Sequence, residues 1–308
     1  SVLSKMNTIA DLLDEKQTSR RDRKLSEMID LLWETDELRL GQPEPLDEAV
    51  NALFYLDDLF ALTIPEVLDD FARELERLGL KVSPTARPLS FGTWIGGDRD
   101  GNPNITPQVT KNAIVLQTGH FIRAMLAMLD ELRQALSVST RISGVSKELV
   151  ASVEKDLSLL PEIEDRFRRI NAEEPYRLKA TAIRHRLILT QRRHAAGGAH
   201  VDNRDYKNTE QLLADLSMMH RSLVENRGEL IAHGLLERII RTVACFGLTH
   251  ATMDVREHSG AHHEAIAEIE KVGIDRLTGN AEKTFKTFVA IRELIEVFGP
   301  EVIETYII

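Results

Sequence analysis

Two adjacent glycines, Gly96 and Gly97, followed by two carboxylates around an arginine, narrow the options for this chain at once. The run from Leu89 to Ile95 is short, apolar and rich in aromatic and β-branched residues, which reads as a buried strand. Glycine ends it, because glycine alone turns cheaply through positive φ and lets other groups approach the backbone. Asp98, Arg99, Asp100, Gly101, Asn102 and Pro103 follow, and Thr106-Pro107 starts a helix with threonine as N-cap and proline in the first position. The Asp98-x-Asp100-x-Asn102 spacing suggests a calcium loop, which requires glycine at the sixth position and glutamate at the twelfth. Pro103 and Val109 stand there, so calcium is rejected. Two readings stay open: Arg99 pairs with its neighbouring carboxylates and pins the loop, or the loop presents polar groups at a site.

Most of the remaining sequence carries helical period. Leu25, Met28, Ile29, Leu32 and Trp33 form an apolar stripe, and the spacing predicts a helix ending near Arg39. Further helices are expected over 46–62, 65–79, 109–136, 146–158, 161–171, 175–194, 205–225, 230–246, 261–271 and 281–298. Ala195 to Asn203, with Gly197-Gly198, reads as a mobile loop. Thr249–Arg256 and Val302–Ile308 read as second and third strands. Three strands this far apart cannot close a stable sheet alone, so they look like pieces of a larger one. The expected fold class is mainly α: a helical bundle-like domain over 1–308 with three short strands that belong to an incomplete TIM-like (β/α) barrel.

Composition decides what such a chain can bind. With 39 Lys+Arg against 49 Asp+Glu the formal net charge is −10, which argues against a general binder of nucleic acid or anionic membrane. Cys245 is the single cysteine of 308 residues, so no disulfide within the chain is available, and its apolar surroundings suggest a buried, inert thiol. No apolar run approaches the length of a membrane-spanning helix and nothing at the start resembles a signal peptide, so a cytoplasmic setting is expected.

Three places could carry chemistry. Arg256 ends the second predicted strand, where barrel strands deliver side chains to a site, and a guanidinium binds phosphate bidentately at every working pH. A surface pair with Asp254 or Glu257 explains it equally well. Between Arg166 and Arg193 stand nine Lys or Arg against only Glu173 and Glu174, either an anion-attracting region or a solvated helix face. His258 and His262 have the i, i+4 spacing of a shared metal, but no third ligand stands at a clear spacing, so no metal is expected in this chain.

The string SFGTWIGGDRDGNPNITPQVT closely resembles the glycine-rich signature of phosphoenolpyruvate carboxylases of the bacterial and plant type. Leu32–Arg39, Glu174–Arg177, Met253–Ser259 and Phe298–Ile308 resemble further blocks of that family, in its order. The resemblance implies a large, overwhelmingly helical enzyme built on a small β-barrel, of which this chain is an internal third. It implies phosphoenolpyruvate and bicarbonate as substrates, oxaloacetate and phosphate as products, a Mg2+ or Mn2+ ion in the intact enzyme, and a homotetramer. It assigns Arg256 to the phosphate of phosphoenolpyruvate, Gly96, Gly97, Asp98, Arg99, Asp100 and Asn102 to the signature loop, and Arg39, Trp94 and Arg177 to an allosteric sugar-phosphate site at a subunit interface. His258 departs slightly from the family pattern.

The resemblance also places the catalytic histidine block before Ser1, and the metal carboxylates, catalytic lysine and glycine-arginine loop beyond Ile308. No catalytic residue and no metal ligand is then expected within 1–308, and this piece alone should be inactive. The direct join near 276–279 departs from the family, which has a few dozen residues there, and reads as an omitted segment. The alternative is a helical anion-binding or protein-interaction module without catalytic activity.

Overall fold

A computed structural model describes residues 2–35 and 44–308, which fall in two compact units, Ser1–Glu44 and Pro45–Ile308. In the first unit α1 (Val2–Asp14) and α2 (Ser19–Trp33) form a helical hairpin. Thr18 caps α2 by accepting from the Arg21 amide at 3.1 Å, and Lys5 donates to Thr35. The helix ends at Trp33, with Glu34 as C-cap, earlier than the expected end near Arg39. Arg39 lies outside the described residues.

The second unit begins with α3 (Pro45–Asp58), a π-turn over Leu59–Thr63, and α4 (Ile64–Arg77), which takes Pro65 in its first turn. After β1 (Gly92–Thr93) comes α5 (Pro107–Ala135), capped by Thr106, whose hydroxyl accepts from the Val109 amide at 3.2 Å. Then follow α6 (Lys147–Leu159), α7 (Asp165–Ile170), α8 (Pro175–Ala196), α9 (Thr209–Glu225), α10 (Glu229–Ile231), a π-turn over Ala232–Leu236 and α11 (Glu237–Phe246). The predicted helix over 230–246 is thus interrupted, because Gly234 takes the non-helical pair φ −89°, ψ −130°. The chain closes with β2 (Thr252–Arg256), α12 (Ser259–Val272), α13 (Gly279–Phe298) and β3 (Thr305–Ile307).

The three strands form one open parallel sheet in the order β1-β2-β3, so the chain is mainly α with a partial β/α arrangement. Helical connections separate the strands, as parallel pairing requires. Met253 and Val255 on β2 pack into a core with Ala113 and Ile114 of α5 and Leu294 and Phe298 of α13. Period-two alternation sends Thr252, Asp254 and Arg256 to the opposite face. At the join expected to lack a segment, the chain makes a tight turn: the Thr278 amide and hydroxyl both donate to Glu268 at 3.0 Å.

The larger core surrounds α5 and α8, which make the most extensive helix–helix interface. Phe60, Phe121 and Phe246 meet edge to face at 5.1–5.4 Å between ring centroids, and Phe91 stacks on Phe246 at 4.5 Å, which ties the entrance of β1 to the end of α11. Phe60, Phe121 and Phe246 are buried, and each such ring contributes ~1.5–3 kcal/mol. Cys245 is buried, and burial pushes its thiol up.

Charge in this core is internally matched. Lys179 on α8 has no accessible side chain, and its ammonium lies 2.7 Å from Asp156, 2.8 Å from Asp215 and 2.8 Å from the Ser152 hydroxyl. Arg186 donates to Asp215 at 2.6 Å and lies 4.0 Å over the Tyr206 ring. Arg193 pairs with Asp205 at 2.8 Å, and Arg184 with Asp130 at 2.9 Å. Lys179, Arg184, Arg186 and Arg193 are therefore neither a solvated face nor a free anion site, because carboxylates from neighbouring elements meet them, while Arg166, Arg169 and Arg192 stay exposed. Those partners lie outside the run in sequence. The loop after α8 is also anchored, since His200 Nδ1 sits 2.7 Å from Asp205.

Two consequences are measurable. Lys179→Met leaves Asp156 and Asp215 buried without their shared cation and is expected to cost about 3–5 kcal/mol in urea unfolding; a loss near zero would mean the charges are solvated. Burial among Phe60, Phe121 and Phe246 lowers His250 from 6.5 to about 4, and burial beside Arg193 lowers His194 from 6.5 to about 3. Both are neutral in the fold, so the unfolded chain takes up protons first as pH falls. Stability present above pH 6.5 should therefore decline as pH drops towards 4, and His250→Gln should make that decline shallower in thermal melts at stepped pH.

Candidate phosphate-binding edge of the parallel sheet

The carboxyl ends of parallel strands are where an open α/β sheet offers backbone and side chains to a ligand. Here that edge carries the glycine loop after β1 and Arg256-Glu257 at the end of β2. Two backbone bonds stitch them together: the Arg99 amide donates to the Arg256 carbonyl at 2.8 Å, and the Arg256 amide to the Gly97 carbonyl at 3.1 Å. Asp98 and Arg256 thereby form an isolated parallel bridge, which prolongs the β1–β2 pairing past the end of β1.

The glycines make this approach available. A Cβ on Gly97 would lie 2.3 Å from the Asp254 carbonyl oxygen, and one on Gly96 would lie 2.7 Å from the Ala113 Cβ. Gly96 also takes φ +88°. The first glycine seats the loop on α5 and the second seats it on β2.

Arg99 does not pair with Asp98 or Asp100. It is buried, donating to the Gly97 carbonyl at 3.2 Å and to the Thr110 hydroxyl at 2.7 Å, and that hydroxyl in turn donates to the Gly96 carbonyl at 2.6 Å. It pins the loop, as one sequence reading had it, but through backbone oxygen and α5 instead of carboxylates. Asp100 lies 3.9 Å from Arg256, and the Asn102 side chain accepts from the Asn104 amide at 3.0 Å. A cavity of about 380 Å3 lies beside the loop, lined by Arg99, Asn102, Glu257, Asn280 and Lys283 among others.

Arg256 is about half exposed, and its Nε donates to Asp98 at 2.9 Å. The expected surface pair with Asp254 or Glu257 is replaced by one with the signature loop. Pairing through Nε fixes the plane of the guanidinium, with Nη2 3.9 Å from Asp100, beyond hydrogen-bond distance. Asp98 raises the pKa of the Arg256 guanidinium, so its charge is permanent.

Other sequence-selected residues fall apart in space. Trp94 is two-thirds exposed near the start of α5, where its neighbour Gly96 meets Ala113. Arg177 donates to the Arg133 carbonyl at 3.0 Å, near the other end. The two anchor points are about 30 Å apart at about 1.5 Å per residue. Within one chain they share no site. Arg177 also pairs with Glu174 at 2.6 Å and lines a cavity of about 550 Å3 with Arg133 and Arg166. His258 and His262 do not share a ligand position: His258 accepts from the Gly260 amide as the N-cap of α12, while His262 Nε2 lies 2.9 Å from the Tyr306 hydroxyl. Burial and the nearby Glu257 push that hydroxyl up to about 12.

A steric test of the loop follows. Gly97→Ala should destabilise the fold by about 1–3 kcal/mol, because the loop must leave β2; an unchanged denaturation midpoint would contradict the close packing.

The family model described as phosphoenolpyruvate carboxylase matches residues 1–278. A phosphoenolpyruvate carboxylase of Roseiflexus castenholzii is 33% identical over 357 aligned positions, covering 100% of this chain and 38% of that protein. One of Bradyrhizobium diazoefficiens is 33% identical, covering 87% of this chain and 28% of its own length. One of a Synechocystis species is 32% identical, covering 92% and 31%. The chain thus spans between 28% and 38% of the length of these relatives. A match over residues 1–278, together with relatives 32–33% identical along most of its length, makes this chain a member of the phosphoenolpyruvate carboxylase family.

Proposed function

We propose that this chain is an internal part of an enzyme that joins bicarbonate to phosphoenolpyruvate, giving oxaloacetate and phosphate, and that Arg256 holds the substrate phosphate. The observation that carries this is the half-exposed Arg256 guanidinium, oriented by Asp98 at the carboxyl edge of the parallel sheet. Asp98 is then a positioning residue, and Arg99 keeps the loop seated on α5. The family's proton-transferring histidine and its lysine belong, by the resemblance, to segments outside residues 1–308, so the piece alone is inactive.

The sheet itself supports incompleteness. Parallel sheets are normally covered on both faces, yet the Thr252–Asp254–Arg256 face is polar and partly open, and Ile307 on the β3 edge is exposed. Further strands of a barrel would cover both. The alignment to the Roseiflexus protein uses 357 positions for 308 residues of this chain, and the family match stops at Thr278, which supports a segment absent at the join near 276–279.

A divalent cation belongs to the proposed reaction as the group that stabilises developing enolate charge. By the resemblance, its carboxylate ligands belong to segments outside residues 1–308. The intact protein is proposed to be cytoplasmic and homotetrameric. An effector site using both Trp94 and Arg177 requires two copies of the chain, given their separation. The arginine-lined cavity at Arg177 supports a phosphate-bearing effector there.

The test uses the intact protein. Arg256→Ala should lower kcat/KM for phosphoenolpyruvate about 10- to 100-fold, corresponding to the ~1.5–3 kcal/mol of a charged hydrogen bond, mainly through KM. Asp98→Asn should raise KM less. An active protein indifferent to Arg256→Ala would overturn the site, and an intact protein inactive with bicarbonate and magnesium would favour the non-catalytic interaction module.

A further inference from the structure

We propose that His220, His233 and Glu237 form a binding site for a single divalent transition-metal ion of the zinc class, on the helical side of the unit and independent of the Arg256 edge. One ligand atom from each residue lies within 4.8 Å of the other two. His220 Nε2 is 3.2 Å from Glu237 Oε2, and His233 Nδ1 also meets Oε2. Ligands about 2.0–2.1 Å from a tetrahedral zinc lie ~3.3 Å from one another, so the trio needs little movement to close on an ion. Two imidazoles and one carboxylate leave a fourth position for water, the pattern of an open zinc site, and nitrogen-rich sets of this kind select zinc over magnesium or calcium.

The surroundings are built to hold this carboxylate. Glu237 is nearly fully buried, and its second oxygen, Oε1, accepts from Arg241. Arg241 is held in turn by Asp69 on α4 at 3.0 Å. Oε2 is thereby turned towards the two imidazoles, and Asp69 balances the arginine charge that would otherwise repel a cation. Such outer contacts orient metal ligands and account for much of their affinity. The π-turn over Ala232–Leu236, broken at Gly234, directly precedes α11 and carries His233 to Glu237. Irregular helical turns of this kind concentrate at functional positions. The trio lines a cavity of about 580 Å3, and the His233 side chain is more than half exposed, so an ion can enter from solvent.

The ion would join α9, the π-turn and α11. Sequence spacing gives little warning, since His220 lies 17 residues before Glu237 and on another helix.

The experiment is titration of the chelator-treated chain with Zn2+ alone, followed by calorimetry and by thermal melting. One equivalent should bind and raise Tm in a concentration-dependent way. His233→Ala should weaken Zn2+ binding at least about tenfold and abolish the Zn2+-dependent rise measured from the variant's own apo Tm. His220→Gln should do the same to the binding. Absence of stoichiometric binding, or Zn2+ affinity unchanged by His233→Ala, would overturn the assignment.

Discussion

A lysine with no accessible surface can occupy a protein core only where opposite charge comes in with it. Lys179 meets that condition through Asp156 on α6 and Asp215 on α9, and Arg186 joins the same Asp215. The arrangement lets α8 pack all round despite its basic composition, and it fixes α6, α8 and α9 in one register. The central helix α5 lies against that assembly. Its first turns seat the glycine loop, so the position of Arg256 is anchored, through Thr110 and Arg99, on a core whose packing is set by ion pairs.

Much of this was readable from residue order. The glycine pair announced both the strand end and the close backbone approach, and the distances at Gly96 and Gly97 show the physical need. Helix starts at Thr106-Pro107 and Pro175 follow from caps, and the strand expected over Thr249–Arg256 is found over Thr252–Arg256. The strand limits were overestimated, since Leu89–Ile95 yields only Gly92–Thr93 as paired strand: apolar character marks burial, whereas pairing depends on a neighbour.

What the sequence hid was partnership over long separations. The basic run from Arg166 to Arg193 reads as excess charge because the carboxylates that meet Lys179, Arg184, Arg186 and Arg193 are Asp130, Asp156, Asp205 and Asp215, all outside it. Arg256 looked tied to Asp254 or Glu257, its chain neighbours, while strand alternation turns it towards Asp98, reached only by folding. The break at Gly234 is likewise not announced by periodicity, because a single glycine inside an apolar run is compatible with an unbroken helix.

The central claim is that a glycine loop, packed against β2 without side-chain interference, aims an arginine at a substrate phosphate. The most direct measurement is a crystal structure of the intact protein with phosphoenolpyruvate bound. The account predicts the Arg256 guanidinium within hydrogen-bond distance of the phosphate oxygens, with Asp98 still on its Nε edge. Phosphate bound elsewhere, with Arg256 engaged only by Asp98 and Asp100, would contradict it.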